Sequence, residues 1–245
     1  MRVKYIFISK RIITAALGLV FLTSLYMISA SMMHQRWKQE IASPGLAGKT
    51  VMIDPGHGGA DPGAVVGKQI EADLNMDLAL ALKRELEEHG VTVKLTREGQ
   101  EGLVPQETMT YIDRWMMLEK RKRFAIDEKS HFLISIHSNS NKDPRASGGM
   151  VFYADDGSRL LAVNIQEQLN ALGMRKREAQ KGNFTIINNT PMPSVLIETG
   201  FITNKRDLDF LISQRDLLAA AIYKGLDNYS RSLQPQNRPT EELHD

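Results

Sequence analysis

The chain has 245 residues, a formal net charge of +2 and no cysteine. Without cysteine it forms neither a disulfide framework nor a thiolate zinc site, so His, Asp or Glu would have to hold any metal. The small net charge does not support a nucleic-acid partner, and we expect none. From about Leu46 onward the chain is long enough for one ordinary domain with its own core.

The amino terminus predicts a membrane segment. An uncharged run from Ile12 to Ala30 approaches the roughly 20 apolar residues that a spanning helix needs. The basic residues that precede it are Arg2, Lys4, Lys10 and Arg11. By the positive-inside rule, residues 1–11 stay in the cytoplasm and the domain lies outside, in the cell envelope. A signal peptide cleaved after Ala30 is the alternative, which we disfavour because the cleavage motif is poor. Residues 31–46 are predicted to be a linker.

Beyond the linker, strand and helix patterns alternate, which indicates an α/β fold. The predicted strands are Val51–Ile53, Val91–Thr96, His131–His137, Gly148–Ala154, Phe184–Ile187 and Ser194–Ile197. The predicted helices begin at Glu71, Met109, Ser158, Lys205 and Arg215. We therefore predict a three-layer sandwich, with helices on both faces of a twisted, mostly parallel or mixed sheet of about six strands. The domain spans residues 47–231, and a polar tail spans 232–245. The charged run Glu119–Arg123 is interpreted as a solvated helix face.

A glycine-rich loop follows the first predicted strand. Its sequence is Asp54-Pro55-Gly56-His57-Gly58-Gly59-Ala60-Asp61-Pro62-Gly63. It contains neither Gly-Lys-Ser/Thr nor G-x-G-x-x-G, so both phosphate-binding patterns are excluded. His57 stands at the carboxyl end of a buried strand, where open α/β sheets usually carry their chemistry. We therefore predict that His57 is a metal ligand and that its partners lie elsewhere in the chain.

Two residues are candidate partners of His57. His137 ends an apolar strand and opens a polar loop, the same topological position as His57. Glu71 opens the helix that follows the glycine-rich loop, although a helix-capping acid is an equally weighted alternative. Two histidines and one carboxylate with an open fourth position form a catalytic zinc arrangement. The other histidines have ordinary structural explanations and are His34, His89, His131 and His244.

A further carboxylate follows the last predicted strand. The apolar run Ser194–Ile197 ends in Glu198-Thr199-Gly200-Phe201. A carboxylate next to a buried strand is costly unless it has a partner or a function. We predict that Glu198 is the general base, which takes a proton from water and delivers it to a leaving amine. A helix cap or an ion pair is the alternative.

Taken together, these blocks resemble the zinc-dependent N-acetylmuramoyl-L-alanine amidases known as amidase type 3. The blocks occur in the family's order and are Asp54–Gly59, Glu71, Ser135–Asn139 and Pro193–Asn204. The resemblance implies cleavage of the amide between N-acetylmuramic acid and the L-alanine of peptidoglycan stems. It also implies zinc held by His57, Glu71 and His137, with Glu198 as the catalytic carboxylate. Arg121 and Arg177 match family arginines to which we assign no role from the sequence.

A catalytic domain behind one amino-terminal segment resembles the germination-specific amidases of spore-forming bacteria. This implies a role in spore cortex maturation, with peptidoglycan and the membrane as partners and an activating protein left open. One alternative is another zinc peptidase acting on stem peptides, which the absence of His-Glu-x-x-His disfavours. The other is a non-catalytic peptidoglycan-binding module, which would be expected to have lost a ligand or Glu198.

Overall fold

The structure, a computed structural model, describes residues 18–19, 21–29, 45–99 and 110–233. The chain divides into two compact units, residues 1–44 and 45–245. In the first unit residues 18–19 and 21–29 are helical (α1) and exposed. No helix within these described ranges is long and apolar enough to cross a membrane. Much of the predicted membrane segment lies outside the described residues, as do residues 1–11, the linker up to residue 44 and the tail from residue 234.

The second unit is built around a six-stranded mixed sheet of order β4-β1-β5-β8-β6-β7. The strands are β1 (Thr50–Pro55), β2 (Val65–Val66), β3 (Gln69–Ile70), β4 (Thr92–Leu95), β5 (Phe132–Asn139), β6 (Met150–Tyr153), β7 (Gln180–Lys181) and β8 (Ser194–Phe201). The helices are α2 (Glu71–Glu88), α3 (Tyr111–Asp127), α4 (Asp156–Asn170), α5 (Lys205–Ser213) and α6 (Arg215–Ser232). Strands β4, β1, β5 and β8 are parallel, and β6 is antiparallel to β8. The predicted α/β fold with a mixed sheet of about six strands is confirmed.

Successive residues of the central strands supply two separate cores, because side chains alternate between the faces of a sheet. On one face, Val51, Ile53 and Ile134 pack with residues of α2, α4 and α6. On the other face, Met52, Leu133 and Leu196 pack with Ala125 of α3. Burying a Leu, Ile or Met side chain stabilises a fold by about 1.5–3 kcal/mol. Both faces are therefore covered by helices, which gives the three predicted layers.

The predicted strand Phe184–Ile187 is wrong. These residues form a turn, in which the Ile187 amide donates to the Phe184 carbonyl at 3.1 Å. Ile186 and Ile187 are buried in the core on the α3 side. The edge strand is instead the short, exposed β7, which pairs with β6. A run of four apolar residues indicates burial but does not distinguish extended backbone from a turn.

Helix α3 begins with a capping box. The Asp113 amide donates to Thr110 Oγ1 at 3.2 Å, and the Thr110 amide donates to Asp113 Oδ2 at 2.8 Å. Such a cap stabilises a helix start by about 1 kcal/mol. The predicted first residue, Met109, lies outside the described residues. Arg114 and Arg121 follow this cap and are seven residues apart, so they lie on the same side of α3.

The charged run of α3 is not wholly solvated, contrary to our interpretation of the sequence. Arg121 and Lys122 are buried, whereas Lys120 and Arg123 are exposed. Lys122 Nζ donates to the carbonyls of Thr185 and Asn188, at 3.3 and 3.2 Å. The helical period turns two of the basic residues toward the sheet, and carbonyl and carboxylate partners make that burial tolerable.

Candidate active site

The structure brings three predicted residues together at the carboxyl ends of β1 and β5. His57 follows β1, His137 lies in β5, and Glu71 is the first residue of α2. Each of them offers one ligand atom within 4.8 Å of the others. Glu71 Oε1 lies 3.0 Å from His57 Nε2 and 3.3 Å from His137 Nδ1. These three side chains, up to 80 positions apart in the sequence, thus form one group of potential metal ligands. We call His57, Glu71 and His137 the donor set.

The Glu71 carboxylate is held at the centre of this set. Its Oε1 also accepts from the Ser138 amide at 3.2 Å, and its Oε2 accepts from the Ala64 amide at 2.9 Å. Burial alone would raise its pKa, but hydrogen bonds from His137 and His57 outweigh burial and keep the pKa far below its usual range. The side chain does not cap its own helix, since the N-cap of α2 is Ile70 and has no side-chain cap bond. Its carboxylate does lie in the first turn of α2, where the helix dipole favours an acid, so this part of the alternative remains.

His57 occupies an unusual backbone conformation and has a second acidic neighbour. Its φ of 62° is rare for a residue with a side chain. Its Nδ1 lies 2.9 Å from Asp61 Oδ2, which is an ion-pair distance without hydrogen-bond geometry. Burial opposes the charged ring, but Asp61 and Glu71 outweigh it and raise the pKa of His57 to about 9. A carboxylate behind the outer nitrogen of a histidine orients the ring so that the other nitrogen can bind a metal.

Two glycines let the loop approach the donor set closely. A Cβ at Gly56 would lie 2.3 Å from the Cε1 and Nε2 atoms of His137. A Cβ at Gly63, where φ is 67°, would lie 2.6 Å from Glu71 Oε2 and 2.8 Å from His57 Cδ2. Any side chain at either position would displace a member of the set. The glycine content of the loop is therefore a packing requirement of this site.

Glu198 lies beside the donor set in an adjacent strand. It is opposite His137 in the parallel pairing of β5 and β8, so both side chains point to the same face of the sheet. Burial raises the pKa of Glu198 to about 7. Its Oε2 is buried and has no hydrogen-bond partner among the described residues. An unpaired buried carboxylate is costly, which is typical of a group that acts on a bound molecule.

A cleft of about 360 Å³ gives access to these groups. Its polar lining contains members of the set together with their acidic neighbours. These are His57, Asp61, His137 and Glu198, with Arg114 and Asn183 beside them. Its apolar wall is formed by Met117, Leu118, Phe184, Ile186 and Leu196. A cleft with one apolar wall and a few convergent polar groups is typical of an active site.

Arg121 holds the backbone of the His57 loop. Its Nη2 donates to the His57 carbonyl at 2.7 Å, and its Nη1 donates to the Pro55 carbonyl at 3.1 Å. The same Nη1 pairs with Asp54 Oδ1 at 3.1 Å. These contacts give Arg121 the role that the sequence left open, which is to position the loop that carries His57.

A second buried arginine, Arg97, was not found from the sequence. Its Nε donates to the Pro55 carbonyl at 2.9 Å, and its Nη2 reaches the carbonyls of Gly56 and Ala72 at 3.2 and 2.9 Å. It ties the glycine-rich loop to the first turn of α2, where Glu71 lies. The sequence feature that could have indicated Arg97 is its position as a basic residue just beyond a predicted buried strand.

Arg177, the other family-matched arginine, has different contacts. Its Nε and Nη2 donate to the Ser147 carbonyl at 3.0 and 2.8 Å. Its guanidinium lies 6.0 Å from the centre of the Phe201 ring. Arg177 therefore fastens the segment before β6 against the end of β8, and none of these contacts is with the donor set.

The Asp54 carboxylate makes fold stability depend on pH. Asp54 is fully buried, which would raise its pKa, but Arg121 and the hydroxyls of Thr96 and Ser135 outweigh burial and lower it. Its stabilising contribution is therefore complete above the unfolded-state pKa of about 3.9 and is lost as pH falls through the lower folded-state value. Asp54→Asn leaves Arg121 without its counter-charge, so we expect a loss of about 3–5 kcal/mol at pH 7.

Urea unfolding at several pH values measures this effect. The stability difference between wild type and Asp54→Asn should shrink below about pH 4. Asp209→Asn is a suitable control, because Asp209 makes an exposed ion pair with Lys205. A difference that stays constant down to acid pH would contradict a lowered pKa at Asp54.

The fold and the site together define a class of protein. It is an α/β protein in which two histidines and two carboxylates meet at the carboxyl ends of parallel strands, as in hydrolases that use a divalent metal. The chain belongs to the Amidase_3 family of N-acetylmuramoyl-L-alanine amidases, whose sequence profile matches residues 51–228. The family resemblance predicted from the sequence is confirmed.

Individual relatives agree with this assignment. The chain is 38% identical over 195 residues to the uncharacterized protein YqiI of Bacillus subtilis, covering 77% of this chain and 88% of that protein. It is 33% identical over 190 residues to the probable cell wall amidase LytH of Staphylococcus aureus, covering 75% of this chain and 59% of that protein. The CwlD amidase of Clostridioides difficile, solved in complex with the GerS lipoprotein, matches with a TM-score of 0.70 and 30% identity, covering 76% of this chain and all of that one (100%).

Proposed function

We propose that this protein is a zinc-dependent amidase that hydrolyses the bond between N-acetylmuramic acid and the L-alanine of peptidoglycan stem peptides. The observation that carries the proposal is the cluster of His57, Glu71 and His137, whose two histidines line the same cleft as the unpaired carboxylate of Glu198. Membership of the Amidase_3 family supports the choice of substrate and bond.

The donor set fits zinc. Zinc bonds of about 2.0–2.2 Å at tetrahedral angles leave neighbouring ligand atoms roughly 3.3–3.6 Å apart. The spacings of 3.0 and 3.3 Å from Glu71 Oε1 to the two rings are close to that value, and all three ligand atoms lie within 4.8 Å of one another. At neutral pH the raised pKa of His57 means that metal binding has to release a proton from this ring. Glu71 is already ionised, as a ligand must be.

Zinc, when bound, supplies a Lewis acid for the scissile carbonyl and lowers the pKa of water. The chain's own residues carry the proton. Glu198, with a pKa of about 7, accepts the proton of the attacking water and donates it to the departing amine of alanine. Arg121 and Arg97 hold the His57 loop in place throughout, since their bonds go to the backbone of that loop.

Digestion of purified peptidoglycan followed by mass analysis of the soluble products tests the proposal. We expect free stem peptides that begin with L-alanine, together with glycan strands that carry unsubstituted muramic acid. Shortened stems still attached to the glycan would indicate a peptidase. Bound but intact peptidoglycan would indicate a binding module.

We also propose that residues 12–30 anchor the protein in the membrane with the domain outside the cytoplasm. The uncharged run and the basic residues before it support this placement. The full-length protein should sediment with membranes, and its domain should be open to external protease. Recovery of soluble protein that begins near Ser31 would show cleavage instead.

We propose a role in spore cortex maturation as the setting of this activity. The support is the resemblance of the sequence to the germination-specific amidases of spore-forming bacteria. The muramic δ-lactam content of spores made without this protein measures the role, and we expect it to fall sharply. Normal δ-lactam content in such spores would assign the enzyme to another part of the wall.

A further inference from the structure

Arg114 of α3 occupies a distinctive position in the active-site cleft. Among the described residues that line the cleft, it is the one lysine or arginine. Its side chain is 57% exposed. Its Nε lies 3.9 Å from Asp61 Oδ2, and the same oxygen lies 2.9 Å from His57 Nδ1. One carboxylate therefore separates the guanidinium from a residue of the donor set.

Within residues 45–99 and 110–233, the guanidinium of Arg114 has one recorded neighbour of opposite charge, Asp61. The 3.9 Å contact is too long for a hydrogen bond, and pairs of this kind contribute little. The two terminal nitrogens make no ion pair or hydrogen bond with the described residues. This contrasts with Arg121 and Arg97, whose guanidinium groups are buried and bonded to backbone carbonyls. A planar fork whose terminal nitrogens make no bond to the described part of the chain is suited to bidentate recognition of a carboxylate.

Asp61 and Glu198 both line the cleft, and Asp61 already faces the His57 ring at 2.9 Å. Peptidoglycan stems are anionic, and the residue after L-alanine is a glutamate that carries a carboxyl group near the scissile bond. Arg114 supplies a permanent positive charge in the same cleft.

We propose that Arg114 binds the free carboxylate of the acidic second residue of the stem peptide and so makes the enzyme prefer stems in which that group is not amidated. The inference rests on the proposed amidase function. The reach is compatible, because an extended chain spans at most about 3.6 Å per residue. A carboxylate one residue beyond the alanine thus falls within roughly 7 Å of the scissile nitrogen. The contacts through Asp61 place the guanidinium at a comparable distance from His57.

Two soluble muropeptides that differ only in this group, free acid against amide, provide the test. The wild-type KM should be roughly fivefold lower for the free acid, as expected for one charge-assisted pair at a half-exposed site. The kcat should be nearly equal for both substrates, because the contact binds ground state and transition state alike. Arg114→Gln should raise the KM for the free acid to the value for the amide. The KM for the amide should stay almost unchanged.

Two further variants serve as controls. One keeps the charge at position 114 without the planar guanidinium, and the other removes a different arginine from the same helix. Arg114→Lys keeps the charge but not the fork, so it should retain only part of the preference. Arg123→Gln, on the same helix and 74% exposed, should behave as wild type. The inference is overturned if wild type does not distinguish the substrates, or if Arg114→Gln keeps the wild-type ratio. If the proposed amidase function itself were wrong, the wild-type protein would release stem peptide from neither muropeptide. That result differs from both outcomes that overturn the Arg114 inference.

Discussion

Glu198→Gln is expected to retain its metal and its fold but to hydrolyse the substrate roughly 10²–10⁴-fold more slowly. This is the factor that general acid–base catalysis contributes to a rate. Glutamine keeps the shape of the side chain and removes the group that titrates. Glu198 lies beside the donor set without being part of it, so its loss should leave the metal affinity nearly unchanged. Stem-peptide release, measured with elemental analysis of the same sample, checks both halves of the expectation.

A matched control is Glu178→Gln, which makes the same chemical change at an exposed position. It should hydrolyse peptidoglycan at the wild-type rate. If Glu198→Gln also kept a near wild-type rate with the metal bound, Glu198 would not be the proton carrier. The proton would then have to be carried by another group that lines the cleft.

Glu71→Ala is expected to lose its zinc and with it the activity. Removing an outer-shell partner of a metal site typically lowers affinity 10–100-fold, so the loss of a direct ligand should exceed that range. The two histidines would also lose the carboxylate that bridges them, since Glu71 Oε1 contacts both rings. His57→Ala and His137→Ala should behave in the same way. Elemental analysis after dialysis against trace zinc measures the occupancy.

Glu88→Ala serves as the control for this experiment, because Glu88 is exposed on the same helix. It should bind one zinc per chain. Full zinc occupancy in Glu71→Ala would remove Glu71 from the ligand set and leave it as an acceptor for the amides of Ala64 and Ser138.

Much of the site could be predicted because its members follow buried strands. The apolar runs that become β1, β5 and β8 are visible in the sequence, and His57, His137 and Glu198 come at their carboxyl ends. Parallel strands put those ends at one edge of a sheet, and the adjacency of β1, β5 and β8 in the structure brings the side chains together. Glu71 was predicted by its place after the glycine-rich loop.

The contacts of the supporting residues could not be predicted, because their partners are distant in sequence and are mostly backbone atoms. Arg97 bonds to Pro55, and Arg121 bonds to Pro55 and His57, over separations of 42 to 66 positions. In the sequence, Arg121 belongs to a charged run that is more often solvated. Asp61 is an ordinary loop acid until the fold sets it behind His57. The turn at Phe184–Ile187 was missed for a related reason, since apolar character reports burial alone.

The central claim is that this site hydrolyses the muramoyl–alanine bond with one zinc ion. The most direct measurement is stem-peptide release by protein stripped with a chelator, followed as zinc is added back in known amounts. We predict no release from the stripped protein and recovery that is complete at one zinc per chain. Full activity in protein shown by elemental analysis to contain no metal would contradict the account.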